Sequence, residues 1–153
     1  MKKLKRQFLN LALGELAAVI VFIYVYGLFD FGNASLLTFS YLIFILLQGS
    51  IYWFYRYILI VRRKKVGIKA ISILKFLRIL NGILLVSIAL TFLFFRNSTK
   101  DLIIALGIYL FGLIEYVNYY WYRLSYGKSG FNIRILAKRG LRESSIGKLI
   151  SGE

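Results

Sequence analysis

The chain has 153 residues, of which 59% are hydrophobic and 18% are aromatic, and its formal net charge is +15. Such a composition leaves too little polar surface to cover a soluble domain of this size, so we predict one compact domain in a membrane. Cysteine and histidine are both absent. Their absence excludes disulfide bonds, thiol and imidazole catalysis, and the commonest zinc ligands.

Four long apolar runs follow one another along the chain, at roughly 8–29, 36–61, 70–95 and 102–126. Each can cross a hydrocarbon layer about 30 Å thick, which takes about 20 helical residues. Strand-like alternation is missing, and a backbone in lipid must satisfy its own hydrogen bonds, which favours helices over a barrel. The sequence therefore predicts an all-α membrane protein, with a bundle of four transmembrane helices over residues 1–126 and a basic tail over 127–153.

Basic residues are concentrated on one side of the predicted bundle. They precede the first run, separate the second run from the third, and follow the fourth, whereas the alternate loops carry only Arg96 and Lys100 beside Asp30 and Asp101. By the positive-inside rule, this pattern predicts a multi-pass protein of the plasma (inner) membrane with both termini in the cytoplasm. Topology thus explains the net charge without nucleic acid, and we expect the anionic lipids of the inner leaflet as partners.

The basic tail also carries spaced apolar residues, among them Ile133, Leu141, Ile146 and Ile150. This mixture predicts one or two short amphipathic helices lying on the inner leaflet. A largely disordered tail and a tail that docks on a partner are the alternatives.

An internal similarity links the second and fourth runs. Gln48 is followed by Tyr52 and Arg56 at the same spacing at which Glu115 is followed by Tyr119 and Arg123. Two helical hairpins related as parallel repeats would produce this pattern. An aromatic belt at the cytoplasmic interface would produce much of it too, and we favour the belt.

Five ionisable residues fall inside the predicted spans, namely Glu15, Arg56, Lys75, Arg78 and Glu115. At about 1.5 Å per helical residue, all five lie in one layer beneath the cytoplasmic interface. An intramembrane charge costs at least about 2.5 kcal/mol, so we expect the carboxylates to face the basic side chains inside the bundle. The alternatives are that the basic side chains extend to the interface and that the glutamates have a purely structural role.

Aromatic side chains extend this charged layer. Glu115, Tyr119, Tyr122 and Tyr126 share one face of the fourth predicted helix. The candidate ligand-binding residues are Glu15, Tyr52, Arg56, Arg78, Glu115, Asn118, Tyr119 and Tyr122.

This charged and aromatic layer is compatible with three functions. The leading hypothesis is a non-enzymatic binding or transport module that engages the headgroup of an anionic or isoprenoid lipid, because arginine matches phosphate and tyrosine suits the headgroup depth. The second is a small proton- or cation-coupled transporter that uses Glu15 or Glu115. The third is an accessory or regulatory subunit of a larger membrane complex, or a homo-oligomer. No catalytic motif is evident, and we expect no cofactor and no metal.

Overall fold

The computed structural model describes residues 2–29, 31–94, 98–124 and 142–152. It contains four helices that are long and apolar enough to span a membrane, as predicted. These helices are α1 (Lys2–Tyr26), α2 (Asn33–Val61), α3 (Ile68–Thr91) and α4 (Thr99–Tyr120). Two short strands and a short helix follow, namely β1 (Tyr122–Arg123), β2 (Arg142–Glu143) and α5 (Ser145–Ser151).

Helix α2 is the centre of the bundle and packs along both α1 and α4. The α1 contact is antiparallel: the Ser50 hydroxyl donates to the Ala12 carbonyl at 3.0 Å, and the Phe8 ring lies 5.4 Å from the Trp53 ring. A helix packed on both sides needs small residues where its neighbours approach closely. Gly49 is such a residue, because the ring of Tyr119 on α4 lies directly against its backbone.

Helices α2 and α4 run in the same direction. Contacts near their starts join Ala34 to Asp101, and contacts further along join Gln48 to Tyr120. Parallel repeats would require this orientation, and so the repeat stays a hypothesis that the geometry allows.

The start of α2 is capped by a carboxylate from α4. Asp101 is only 7% exposed, and its two oxygens accept hydrogen bonds from the backbone N–H groups of Gly32, Ala34 and Ser35 at 3.0–3.2 Å. These donors would otherwise lack partners at a helix N-terminus, where negative charge is also favoured by the helix dipole. A side chain at position 32 would collide with the carboxylate, so glycine is required there.

A neutral polar network, here called the amide junction, joins α2, α3 and α4 through Gln48, Asn81 and Tyr120. Asn81 Nδ2 donates to Gln48 Oε1 at 2.8 Å and to the Leu77 carbonyl at 2.7 Å. Tyr120 donates to the same Gln48 oxygen at 2.7 Å, and Gln48 Nε2 faces Asn81 Oδ1 at 3.4 Å. Asn81 is completely buried. The junction therefore connects α3 to the rest of the bundle.

The prediction that the fourth helix continues to residue 126 is wrong, because α4 ends at Tyr120. Asn118 causes part of this ending, since its side-chain oxygen accepts from the backbone N–H of Leu124 at 3.0 Å and draws the chain into a turn. Strand β1 then pairs with β2, with Tyr122 opposite Glu143. Tyr122 consequently does not continue the helical face that carries Glu115 and Tyr119.

The described end of the tail packs against the bundle. Ile146 is 3% exposed and Ser144 is 2% exposed, α5 contacts α3 and α4, and the hydroxyls of Tyr52 and Ser145 are 2.6 Å apart. A helix in this region was predicted; Ile146 on its apolar face is buried against the bundle, whereas Leu149 and Ile150 are half-buried. The remainder of the predicted amphipathic segment, at 127–141, lies outside the described residues.

Candidate functional site

The predicted charged layer is divided into separate sites in the folded chain. Each arginine lies on an aromatic ring, and the two glutamates lie together beside a tyrosine. We expected Glu15 and Glu115 to face the basic side chains, but no ion pair joins either glutamate to a lysine or arginine in the part of the chain that the structure describes. That expectation is wrong because aromatic rings, and not carboxylates, flank Arg56 and Arg78.

Arg56 belongs to the α1–α2 contact. Its guanidinium carbon is 5.6 Å from the centre of the Phe8 ring, a cation–π arrangement. Tyr52, one turn earlier, is 4% exposed and bonds to Ser145 of α5. Both predicted site residues therefore hold neighbouring elements in place. Lys75, the remaining basic residue of the predicted layer, is exposed on α3.

Arg78 occupies a different environment, between α3 and the end of α4. Its guanidinium carbon lies only 3.7 Å from the centre of the Trp121 ring, so the planar group is stacked on the indole face. Its backbone carbonyl accepts from the Tyr116 hydroxyl at 3.3 Å, which fixes α3 against α4 at this level. None of the described residues accepts a hydrogen bond from the guanidinium itself, whose N–H edge is left for another acceptor.

A groove of about 470 Å³, here called the Arg78 groove, opens beside this stacked pair. Below the guanidinium its walls are almost entirely apolar. Its lining residues are Arg78, Ile79, Gly82, Ile83, Val86, Ser87, Tyr116 and Trp121.

The second site, here called the carboxyl cluster, consists of Glu15 on α1 with Glu115 and Tyr119 on α4. The Tyr119 side chain reaches both carboxyl groups, and the carboxyls are close enough to interact electrostatically. Tyr119 is 5% exposed, yet its hydroxyl makes no hydrogen bond of good geometry with either glutamate or with any other described residue. Asn118 Nδ2 donates to Glu115 Oε2 at 3.3 Å.

Of the predicted site residues, the structure thus brings together Glu15, Glu115, Asn118 and Tyr119. The others have different partners: Arg56 and Arg78 contact aromatic rings, Tyr52 bonds to Ser145, and Tyr122 lies in β1. Metal-binding groups of three or more carboxylate, cysteine or histidine side chains are not found among the described residues.

Sequence reasoning missed Trp121 as the partner of Arg78, and it missed the roles of Asp101 and Asn81. By sequence alone, Trp121 falls in the predicted aromatic belt at the end of the fourth run, and Asp101 falls in a predicted loop. A signal existed for Asn81, since a buried amide in an apolar span must find a hydrogen-bond partner on another helix. Gln48 was the available partner.

Comparison of the chain with protein families, with curated proteins and with solved structures gives no match. The geometry of the two sites is therefore the basis for any functional assignment.

Proposed function

We propose that the protein is a non-enzymatic integral membrane module that binds an anionic lipid, phospholipid or isoprenoid phosphate, at the Arg78 groove. The observation that carries this proposal is the Arg78 guanidinium, stacked at 3.7 Å on Trp121 at the mouth of an apolar groove. Stacking fixes the plane of the guanidinium and leaves its N–H edge available for the two-point hydrogen bonding that phosphate oxygens favour.

The depth of the groove also suits a lipid. Trp121 follows the last residue of α4, and tryptophan is enriched at membrane interfaces, where headgroups lie. Gly82, Ile83 and Val86 follow Arg78 along α3 and would accompany the chain of the lipid toward the membrane centre. A lipid bound in this way places its phosphate against the Arg78 guanidinium and its hydrocarbon chain against the apolar wall of the Arg78 groove.

A second groove gives a useful contrast. Near the start of α2, a groove of about 480 Å³ lies beside Tyr26, whose ring stacks between Phe31 and Phe39 at 4.5 and 4.0 Å. Its size is similar, but no basic side chain contributes to its described lining. Of these two grooves, the Arg78 groove is the one that combines apolar volume with a cation, and so we assign headgroup binding there.

Lipid retained by the purified protein tests the proposal. Arg78→Gln should reduce retention of anionic phospholipid about tenfold or more in native mass spectrometry, since a charge-assisted hydrogen bond is worth about 1.5–3 kcal/mol. Arg78→Lys should retain part of the binding, because a lysine supplies the charge without the planar fork. Val86→Trp should also weaken it by filling the groove while Arg78 stays intact.

Arg62→Gln is the matched control, because it removes one positive charge at an exposed position after the end of α2. The Arg62→Gln variant should retain as much anionic phospholipid as the unmodified protein. Equal retention in Arg78→Gln and Arg62→Gln would contradict the proposed lipid site, and loss of neutral and anionic lipid alike would indicate a general apolar contact.

The proposal includes the orientation predicted by charge, with both termini in the cytoplasm and the protein in the plasma membrane. The chain contains no cysteine, so single cysteines can report the side of each loop. A cysteine at Asn33 or Ser98 should react with an impermeant thiol reagent added to intact cells, and one at Lys64 should not. The opposite labelling pattern would reverse the orientation.

A further inference from the structure

The carboxyl cluster is independent of the Arg78 groove and has a chemistry of its own. Glu15 comes from α1, whereas Glu115 and Tyr119 lie one turn apart on α4. Both carboxyl groups are half-buried and lie next to the tyrosine. Three oxygen-bearing side chains from two helices thus converge inside the bundle.

The position of the Tyr119 hydroxyl is set by packing. A Cβ atom added to Gly49 would lie 2.5 Å from both Cζ and the hydroxyl oxygen of Tyr119. The ring therefore fills the space that any other residue at position 49 would occupy, and α2 holds the hydroxyl between the two helices that carry the glutamates. The hydroxyl cannot move toward α2 to find a partner.

That hydroxyl is the unsatisfied group of the site. It is buried next to both carboxyl groups but makes no hydrogen bond of good geometry with them or with any other described residue, although buried polar groups nearly always have such a partner. Tyr41 also has a buried hydroxyl without a partner, but the ionisable groups around it are tyrosines and not carboxylates. Tyr119 alone of the two points into a negatively charged environment.

Neither carboxyl group has a basic side chain as a partner among the described residues. Two carboxylates that approach one another disfavour each other's charged form, and the neutral amide of Asn118 is the donor seen on Glu115. Arg56 and Arg78 are stacked on aromatic rings elsewhere. A single positive charge between the carboxylates would remove the repulsion and give the tyrosine oxygen a partner.

We propose that Glu15, Glu115 and Tyr119 form a binding site for one monovalent inorganic cation, Na⁺ or K⁺. Carboxylate and hydroxyl oxygens are hard ligands, which hard cations prefer. Divalent-ion sites usually gather several carboxylates around calcium or magnesium, and no third carboxylate joins this pair among the described residues, so a monovalent ion with water as its remaining ligands is the better match.

The test is the thermal unfolding midpoint of the full-length protein in detergent, titrated with NaCl or KCl against choline chloride at constant ionic strength. A cation that binds the folded state raises the midpoint as its concentration increases. We expect this rise with Na⁺ or K⁺, and the ion with the lower apparent Kd identifies the natural ligand. A rise with magnesium or calcium only would overturn the proposal.

Variants locate the effect. Glu15→Gln and Glu115→Gln should each raise the apparent Kd about tenfold or more, because each removes one charged ligand. Tyr119→Phe preserves the packing on Gly49 and removes only the hydroxyl, so a weaker cation response in it separates binding from structure. Glu143→Gln removes a carboxylate that is exposed in β2 and should leave the response unchanged.

An unfolding midpoint that does not depend on Na⁺ or K⁺ in the unmodified protein would overturn the proposal, whatever the variants do. An equal response in the Glu15→Gln, Glu115→Gln double variant would overturn it as well. Arg78→Gln should keep the full cation response, so this site and the lipid site succeed or fail separately.

Discussion

The amide junction and the carboxyl cluster are two polar sites inside the same bundle, and they differ in whether their polar groups are satisfied. Gln48 in α2 and Glu115 in α4 occupy corresponding places in the two similar segments of the chain. Gln48 both donates and accepts, and it joins Asn81 and Tyr120 in a closed neutral network. Glu115, when charged, can only accept, and the tyrosine beside it has no partner.

This difference shows that polarity inside a bundle is not by itself a sign of function. A satisfied neutral network ties helices together and specifies how they pack. A charged cluster with an unsatisfied hydroxyl contributes less to packing and leaves groups available for a ligand. The distinction can be tested by removing one group at a time and comparing the free energies of unfolding.

The largest effect is expected from Asn81→Leu, which removes the centre of the amide junction. Interhelical hydrogen bonds in membrane proteins are worth about 0.6–1.7 kcal/mol each, and the Gln48 side-chain nitrogen would lose its acceptor while the Gln48 oxygen would keep only the Tyr120 hydroxyl. We therefore expect a loss of about 2–4 kcal/mol, measured as the free energy of unfolding in mixed micelles. Ser72→Leu, at an exposed position of α3, is the control and should change little.

Combining Asn81→Leu with Gln48→Leu tests whether the junction acts as a unit. If it does, the double variant should lose less than the sum of the two single losses, because each single change already breaks the shared bonds. Additive losses would show that the two amides stabilise the bundle independently.

Gly49→Ala should have the next largest effect. The added methyl group would meet the Tyr119 ring at 2.5 Å, and overpacking of this kind typically costs about 1–3 kcal/mol. Gly14→Ala is the matched control, since nothing lies within 4 Å of a Cβ at that position of α1. Equal stability of the two variants in the same unfolding assay would mean that α2 does not hold Tyr119.

A smaller loss, about 1 kcal/mol, is expected from Asp101→Ala. This carboxylate resembles Gln48 and not Glu115, because backbone donors from three residues satisfy it, and loss of a helix cap costs about that much. Hydrogen exchange should show faster opening of the first turn of α2 while the opposite end of the bundle is unchanged. Protection that is unaltered in that turn would rule out the capping role.

The smallest effect is expected from Glu115→Gln in buffer without Na⁺ or K⁺. The glutamine can still accept from Asn118, and the repulsion with Glu15 is removed, so the free energy of unfolding should stay within about 0.5 kcal/mol or increase. A loss comparable to that of Asn81→Leu would mean that Glu115 is a structural residue like Gln48. The carboxyl cluster would then be a structural polar network, as the amide junction is.

The sequence by itself determined the four helices, because length and hydropathy are local properties of each segment. The predicted starts and ends lie within a few residues of the helices at most termini. The end of α4 is an exception, since Asn118 and the pairing of β1 with β2 stop the helix at Tyr120. Both causes are tertiary or depend on residues beyond the helix, so an apolar run cannot reveal them.

The sequence also determined which residues are polar within the spans. Helical phase places Glu115 and Tyr119 on one face, and the structure confirms that they are neighbours. Helical phase does not predict which neighbouring helix packs against that face. The rotation of each helix about its axis is decided by packing, and here the glycine at position 49 admits Tyr119 beside α2.

Only the tertiary structure decided which charges meet. Long arginine side chains can reach several partners from one backbone position, and the expected carboxylate partners lie elsewhere. Arg78 instead stacks on Trp121, a residue that becomes its neighbour because α4 ends at that level. Glu15 of α1 and Glu115 of α4 come together because both helices pack along α2.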